Sequence, residues 1–169
     1  MGLFDQQHFE LIDGELIDKM GKNRPHITLM AYMVLWLHQT FGGPFVLTQG
    51  PIDVSPEDNP TSEPEPDVIV MSREYWHFKS ANPRPEDLRL VVEVSGSTLP
   101  FDLTTKAALY ARAAIAEYWV LDLVARRLIV HRNPVGGTYE SVVVYGEHEQ
   151  VAPLAAPHAE FRVADSFAA

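Results

Sequence analysis

The chain has 169 residues, 46% of them apolar, no cysteine, a formal net charge of −10 and an isoelectric point near 5.0. A chain of this size fills one sizeable core more readily than two, so residues 1–169 are read as one domain. The lack of cysteine excludes a disulfide framework and a thiolate zinc site, and the acidity is unlike the broad basic surface of an avid duplex binder. Any metal must be held by carboxylates, histidines, carbonyls or water, which favours a hard cation such as Mg²⁺ or Mn²⁺.

No uninterrupted apolar run approaches the roughly 18 residues of a membrane span. Met1-Gly2-Leu3-Phe4-Asp5 lacks the basic and apolar stretches of a signal peptide, so the expectation is a cytoplasmic protein without a membrane partner.

In chain order, residues 9–18 carry two short apolar runs around Asp13-Gly14, a dipeptide suited to a tight turn with positive φ, and are read as a β-hairpin. Ile27, Met30, Ala31, Val34, Leu35 and Leu37 recur at helical spacing after Pro25, predicting an amphipathic helix over residues 26–40 that Gly42-Gly43-Pro44 stops. Residues 45–54 read as a strand with an irregularity at Gly50-Pro51. A Pro-rich acidic loop, residues 55–66, leads into a second strand, Asp67-Val68-Ile69-Val70-Met71. The nearly continuous apolar run 88–94 has the pattern of a central strand covered on both faces. A second helix over residues 101–116 is followed by a strand at 118–122 and hairpin partners at 127–132 and 139–145. Each helix has only one apolar stripe to bury, so the order implies an α/β (α+β) fold with a central mixed β-sheet flanked by helices.

Three charges stand where the pattern is apolar. Glu93, within Leu90-Val91-Val92-Glu93-Val94, either points to solvent from an edge strand or is a buried carboxylate that needs a cation or a donor set. Asp67 shares a strand face with Ile69 and Met71; on local grounds it is equally a turn residue after Pro66. On a helical wheel, Lys106 falls in the arc of Leu103, Ala107, Tyr110 and Ala114, directed inward, unless it snorkels or pairs with Asp102. Two carboxylates can hold a divalent ion that polarises a phosphate and activates water, and a lysine beside them can orient the nucleophile or stabilise developing charge.

Other residues have plainer readings. Tyr118 and Trp119 lie in an apolar strand and are read as core rather than as a base-stacking platform. Arg126, Arg127 and Arg132 form a short basic patch that is by default a solvated hairpin.

Glu93-Val94-Ser95-Gly96-Ser97-Thr98, then Asp102, Lys106 and Tyr110, then Glu117-Tyr118-Trp119-Val120-Leu121-Asp122, resemble the large family of Uma-type restriction endonucleases. Asp13-Gly14-Glu15-Leu16 and Glu63-Pro64-Glu65-Pro66-Asp67-Val68 fit the same pattern, so the resemblance covers residues 9–167. It implies a restriction endonuclease-like core of the PD-(D/E)XK superfamily, with Asp67 and Glu93 as metal ligands and Glu15 as the early acidic residue completing the set. The superfamily lysine usually stands two residues after the glutamate; here that position is Ser95, and the resemblance implies that Lys106 replaces it. Glu15 is, by local reading alone, equally a solvated hairpin residue, and His26 matches a family histidine without an assigned role.

The expected function is Mg²⁺- or Mn²⁺-dependent endonucleolytic hydrolysis of phosphodiester bonds in nucleic acid, DNA first, with Asp67, Glu93, Lys106 and Glu15 as the catalytic set; no recognition domain accompanies the core, which argues against a sequence-specific enzyme acting alone. The alternative is a non-catalytic nucleic-acid- or protein-binding module that keeps the fold. Hydrolysis of a glycosidic bond by paired carboxylates ranks last, because it gives no use to a buried lysine. A single site cuts one strand, and a homodimer would pair two sites.

Overall fold

The computed structural model describes residues 9–18, 24–54 and 57–167. Residues 1–8, on which the localisation reading rests, and Ser55-Pro56 of the acidic loop lie outside them.

Hairpin strands β1 (Phe9–Ile12) and β2 (Glu15–Asp18) pair antiparallel across a turn in which Asp13 has φ 51° and Gly14 φ 82°, the two positive values that a tight hairpin turn requires. The turn is fastened to the acidic loop: Gly14 N–H donates to the Thr61 carbonyl and Asp13 N–H to Ser62 Oγ. Helix α1 (Arg24–Phe41) buries Leu29, Met33 and Leu37 and ends at Gly42, whose φ of 90° allows the chain to turn away.

The central sheet has six strands in the order β3 (Val46–Thr48), β4 (Val68–Met71), β5 (Leu88–Ser95), β6 (Glu117–Asp122), β7 (Arg127–Val135), β8 (Thr138–Tyr145). Only β5 and β6 run parallel, which requires a crossover. That crossover is helical: α2 (Leu99–Phe101), a π-turn over Asp102–Lys106 and α3 (Ala107–Arg112). A short ribbon of β9 (Gln150–Val151) and β10 (Phe161–Arg162) completes the described strands.

Alternation in the central strands divides the core into two layers. Leu90, Val92, Val94, Trp119 and Leu121 face α1, where Phe161 and Trp36 pack edge to face at 5.0 Å. Ile69, Met71, Val91, Tyr118 and Val120 face the crossover helix and Tyr110. Trp119 and Tyr118 are therefore core residues. Among the described residues no helix is long and apolar enough to cross a membrane.

Three local features differ from the sequence pattern. The strand expected over residues 45–54 stops at Thr48: Gln49 takes φ 54°, and Ile52 and Asp53 then donate to the Pro64 and Pro83 carbonyls instead of to a ladder. The second helix ends at Arg112 rather than at Ala116, because Ala114 adopts φ 58° and Ile115 N–H turns back to the Tyr110 carbonyl. No glycine or proline marks that stop. The wheel assumed a regular α-helix, whereas Asp102–Lys106 is π-helical; both of these residues are still buried.

Candidate active site

Glu93 is on β5, which is flanked by β4 and β6, so it has no edge from which to reach solvent and is only 3% exposed. Antiparallel pairing sets Val68 opposite Val92, and one step further along the ladder Asp67 meets Glu93 on the face of the crossover helix. The two carboxylates lock the strand ends: Val94 N–H donates to Asp67 Oδ2 at 2.9 Å, and Asp67 N–H to Glu93 Oε2 at 3.3 Å. Asp67 is thus more than turn punctuation.

Lys106 comes down from the π-turn, 2% exposed, and its Nζ lies 2.8 Å from Glu93 Oε1 and 2.8 Å from Glu10 Oε2. Tyr110, one helical turn on, donates to the same Glu93 Oε1 at 3.3 Å. Burial opposes the charge on Lys106, but Glu93, Glu10 and Asp102 outweigh it and hold the ammonium above the ordinary lysine range. Burial, reinforced by Glu93, likewise keeps the Tyr110 phenol protonated.

Asp102 holds a separate set of donors. Its Oδ2 accepts from Ser95 Oγ at 2.6 Å and Thr98 Oγ1 at 2.8 Å. Burial raises its pKa, with Lys106 and the two hydroxyls opposing. Ser95, at the position where the superfamily lysine is usual, thus orients Asp102. His26, in the first turn of α1, brings Nε2 to 3.6 Å from Asp67 Oδ2.

These groups surround a cavity of about 70 Å³, lined by Glu10, Asp18, His26, Asp67, Glu93, Asp102 and Lys106 together with Ile17, Val94, Thr98 and Phe101. Of the four expected site residues, Asp67, Glu93 and Lys106 come together and Glu15 does not. Glu15 is exposed and absent from the cavity wall. Pairing of Ile12 with Glu15 and of Glu10 with Ile17 puts Glu10 and Glu15 on one hairpin face, but Glu15 sits at the turn, about 7 Å further along the strand. The hairpin delivers Glu10 and Asp18 to the cavity, and Glu10 is the one that pairs with Lys106. Its sequence signal is weak: it alternates with Ile12, yet Phe9 and Leu11 make the other face equally apolar.

The donor set suits a hard cation, since Asp67 and Glu93 offer carboxylate oxygens from adjacent strands and Mg²⁺ is commonly held by one or two carboxylates plus substrate phosphate and water. Five carboxylates against one ammonium and one imidazole also leave an excess of negative charge that a divalent cation offsets. Among the described residues, no group of three or more His, Asp or Glu side chains is arranged to hold a metal by itself.

The three arginines of the candidate basic patch are each paired: Arg126 with Glu147, Arg127 with Asp122, and Arg132 with the fully buried Glu117.

Comparison with known proteins agrees with this architecture. A solved structure described as "a putative nuclease belonging to DUF820 from Anabaena variabilis ATCC 29413" superposes with a TM-score of 0.69 at 14% identity, covering 94% of this chain and 89% of that one. At that identity the likeness shows a common fold. Among curated proteins none matches. The family described as "Uma2: Putative restriction endonuclease" matches residues 3–164, nearly the whole chain, and this protein belongs to it.

Proposed function

We propose that the protein is a divalent-metal-dependent endonuclease that hydrolyses phosphodiester bonds in DNA, with Asp67 and Glu93 as metal-binding carboxylates and Lys106 as the cationic catalytic group. One observation carries the reading: two buried carboxylates on neighbouring strands face the same cavity as a buried ammonium 2.8 Å from one of them. As a purely structural device this arrangement is poor, because well-packed apolar residues usually stabilise a core as well as a buried ion pair does. Family membership and the nuclease-like fold support the same reading.

A bound Mg²⁺ or Mn²⁺ supplies the positive charge that polarises the phosphate and lowers the pKa of water. Asp67 and Glu93 would hold it, with the Val94 carbonyl as a further oxygen at the cavity. Lys106, kept protonated by Glu93 and Glu10, would stabilise charge developing on the phosphoryl oxygens. Glu10 fixes the ammonium in position, and Tyr110 restrains Glu93 Oε1. His26 Nε2, 3.6 Å from Asp67 Oδ2, would help to hold that carboxylate in position. Glu15, which the family resemblance implies as a ligand, is too far along the hairpin for direct contact, and Glu10 takes its place in the proposal.

The test is cleavage of linear and supercoiled DNA with Mg²⁺ or Mn²⁺, alongside metal titration by calorimetry. Asp67→Ala and Glu93→Ala should each lose metal binding and metal-dependent cleavage. Retention of cleavage in both variants would overturn the mechanism. A wild type that binds DNA yet never cleaves it would favour the binding-module alternative.

A further inference from the structure

β8 is the free edge of the six-stranded sheet: β7 pairs with one side, and among the described residues no strand pairs with the other. Edge strands are ordinarily protected from pairing by shortness, lysine, proline or a covering element. The opposite edge, β3, is blunted by being three residues long. β8 is eight residues long and contains neither lysine nor proline, and Val142, Val143 and Val144 are 52%, 43% and 49% exposed in succession. Val142 and Val144 stand opposite His131 and Ile129. With Leu103 and Ala107 they line an apolar cavity of about 410 Å³ between the β7–β8 hairpin and the crossover helix.

We propose that β8 pairs antiparallel with β8 of a second copy of this chain, centred on Val143, so that two six-stranded sheets continue as one across a two-fold axis. The edge is self-complementary. A two-fold at Val143 sets Val142 against Val144 of the partner subunit, and directly opposed residues in an antiparallel pair share a face. Val142 and Val144 of both copies then form one apolar cluster on the helix-bearing face, and the two Val143 side chains meet on the other.

Charge selects this edge over other surfaces. A chain of net charge −10 repels its own copy at most approaches. On β8 the only carboxylate is Glu140, which accepts a hydrogen bond from Asn133 Nδ2, and Glu147 just beyond the strand is paired with Arg126. The register sets Glu140 opposite Gly146 and opposes no two carboxylates. A basic partner finds no unpaired acid along the strand to attract it.

Pairing through β8 does not depend on the nuclease reading, and it sets the spacing of the two cavities. β5 lies three strands from β8, so the Glu93 residues of the two copies are seven strand spacings apart, about 34 Å along the sheet, and on one face.

The experiment is sedimentation velocity at micromolar concentrations on the wild type and on a variant with Val142→Lys and Val144→Lys, with far-UV circular dichroism as a check of fold. Because the chain has no cysteine, Val143→Cys is also oxidised in air and compared with Val124→Cys at an exposed site away from β8. The expected result is a wild-type dimer, a folded monomeric lysine variant that still binds metal, and a covalent dimer from Val143→Cys but not from Val124→Cys. A monomeric wild type, a dimer that survives both lysines, or a Val143→Cys protein that fails to cross-link would overturn the proposal. Should the lysine variant not fold, the cross-linking comparison decides alone. Metal binding in the monomer separates failure of this inference from failure of the catalytic one.

Discussion

Lys106 and Glu93 meet at 2.8 Å with both side chains almost wholly out of water, one from a π-turn of the crossover helix and the other from the middle of the sheet. Glu10 completes the group, its Oε2 also 2.8 Å from the ammonium. Removing the cation leaves two neighbouring carboxylates buried without a counter-charge. Lys106→Met should therefore cost about 3–5 kcal/mol in urea unfolding. Glu93→Gln in the same chain should recover part of that loss, giving a coupling of about 1–3 kcal/mol in a double-mutant cycle. Additive losses would show that the pair does not interact.

Glu10 and Glu15 separate by experiment because only Glu10 reaches the cavity. Glu15→Ala should leave stability within about 0.5 kcal/mol of wild type, as an exposed substitution does, and leave Mg²⁺ or Mn²⁺ affinity unchanged. Glu10→Ala should lower stability, since Glu10 also accepts the Glu65 N–H at 3.2 Å, and should weaken activity through the misplaced lysine. Calorimetric titration of both variants checks the contrast, and equal effects would count against the assignment of Glu10.

Stability should fall on the alkaline side. Lys106 has a folded-state pKa above its ordinary 10.5, so its stabilising share is complete below that value and is lost as pH rises beyond it. Tyr110, held protonated by burial, acts in the same direction above its ordinary 10.0. Denaturant midpoints measured from pH 8 to 11 should decline in the upper part of this range, less steeply in Tyr110→Phe.

His131 gives the opposite sign in acid. Burial lowers its pKa below 6.5, with its Nδ1 contact to the Tyr118 carbonyl opposing, so its share of stability is present above 6.5 and is lost as pH falls through the lowered value. His131→Phe should flatten the acid limb of the stability profile below pH 6.5. An unchanged limb would assign that loss to carboxylates alone.

Arg126, Arg127 and Arg132 are neutralised by Glu147, Asp122 and Glu117, so alanine at Arg126 or Arg127 should leave nucleic-acid affinity and its salt dependence nearly unaltered. Arg132→Ala is different: Glu117 is fully buried and would keep only the Trp119 Nε1 and Leu154 N–H donors. A loss of about 3 kcal/mol on unfolding is expected, with metal binding intact in the folded fraction.

The elements carrying the strongest periodicity were legible in advance. The Asp13-Gly14 hairpin, the stripe of α1 and the apolar run of β5 are local patterns, and they match the structure apart from their boundaries. Glu93 and Lys106 stood out for the same reason, as charges at positions whose neighbours are apolar, and burial of both follows from β5 being central and from the helix lying on the sheet. The stop at Ala114 was hidden, since alanine ordinarily continues a helix; its positive φ accompanies the Ile115 N–H bond back to the Tyr110 carbonyl and the burial of Ile115.

The sequence by itself determined which segments alternate, which spiral and which charges have no place in water, because periodicity and burial cost are properties of short stretches of chain. Only the tertiary structure decided that Asp67 stands beside Glu93, that Glu10 rather than Glu15 completes the ionic group, and that β8 is left as an open edge. Those depend on strand register and strand order. A shift of two residues along a hairpin keeps every side chain on its face while moving it by about 7 Å, so alternation cannot choose between Glu10 and Glu15, whereas a cavity of 70 Å³ can.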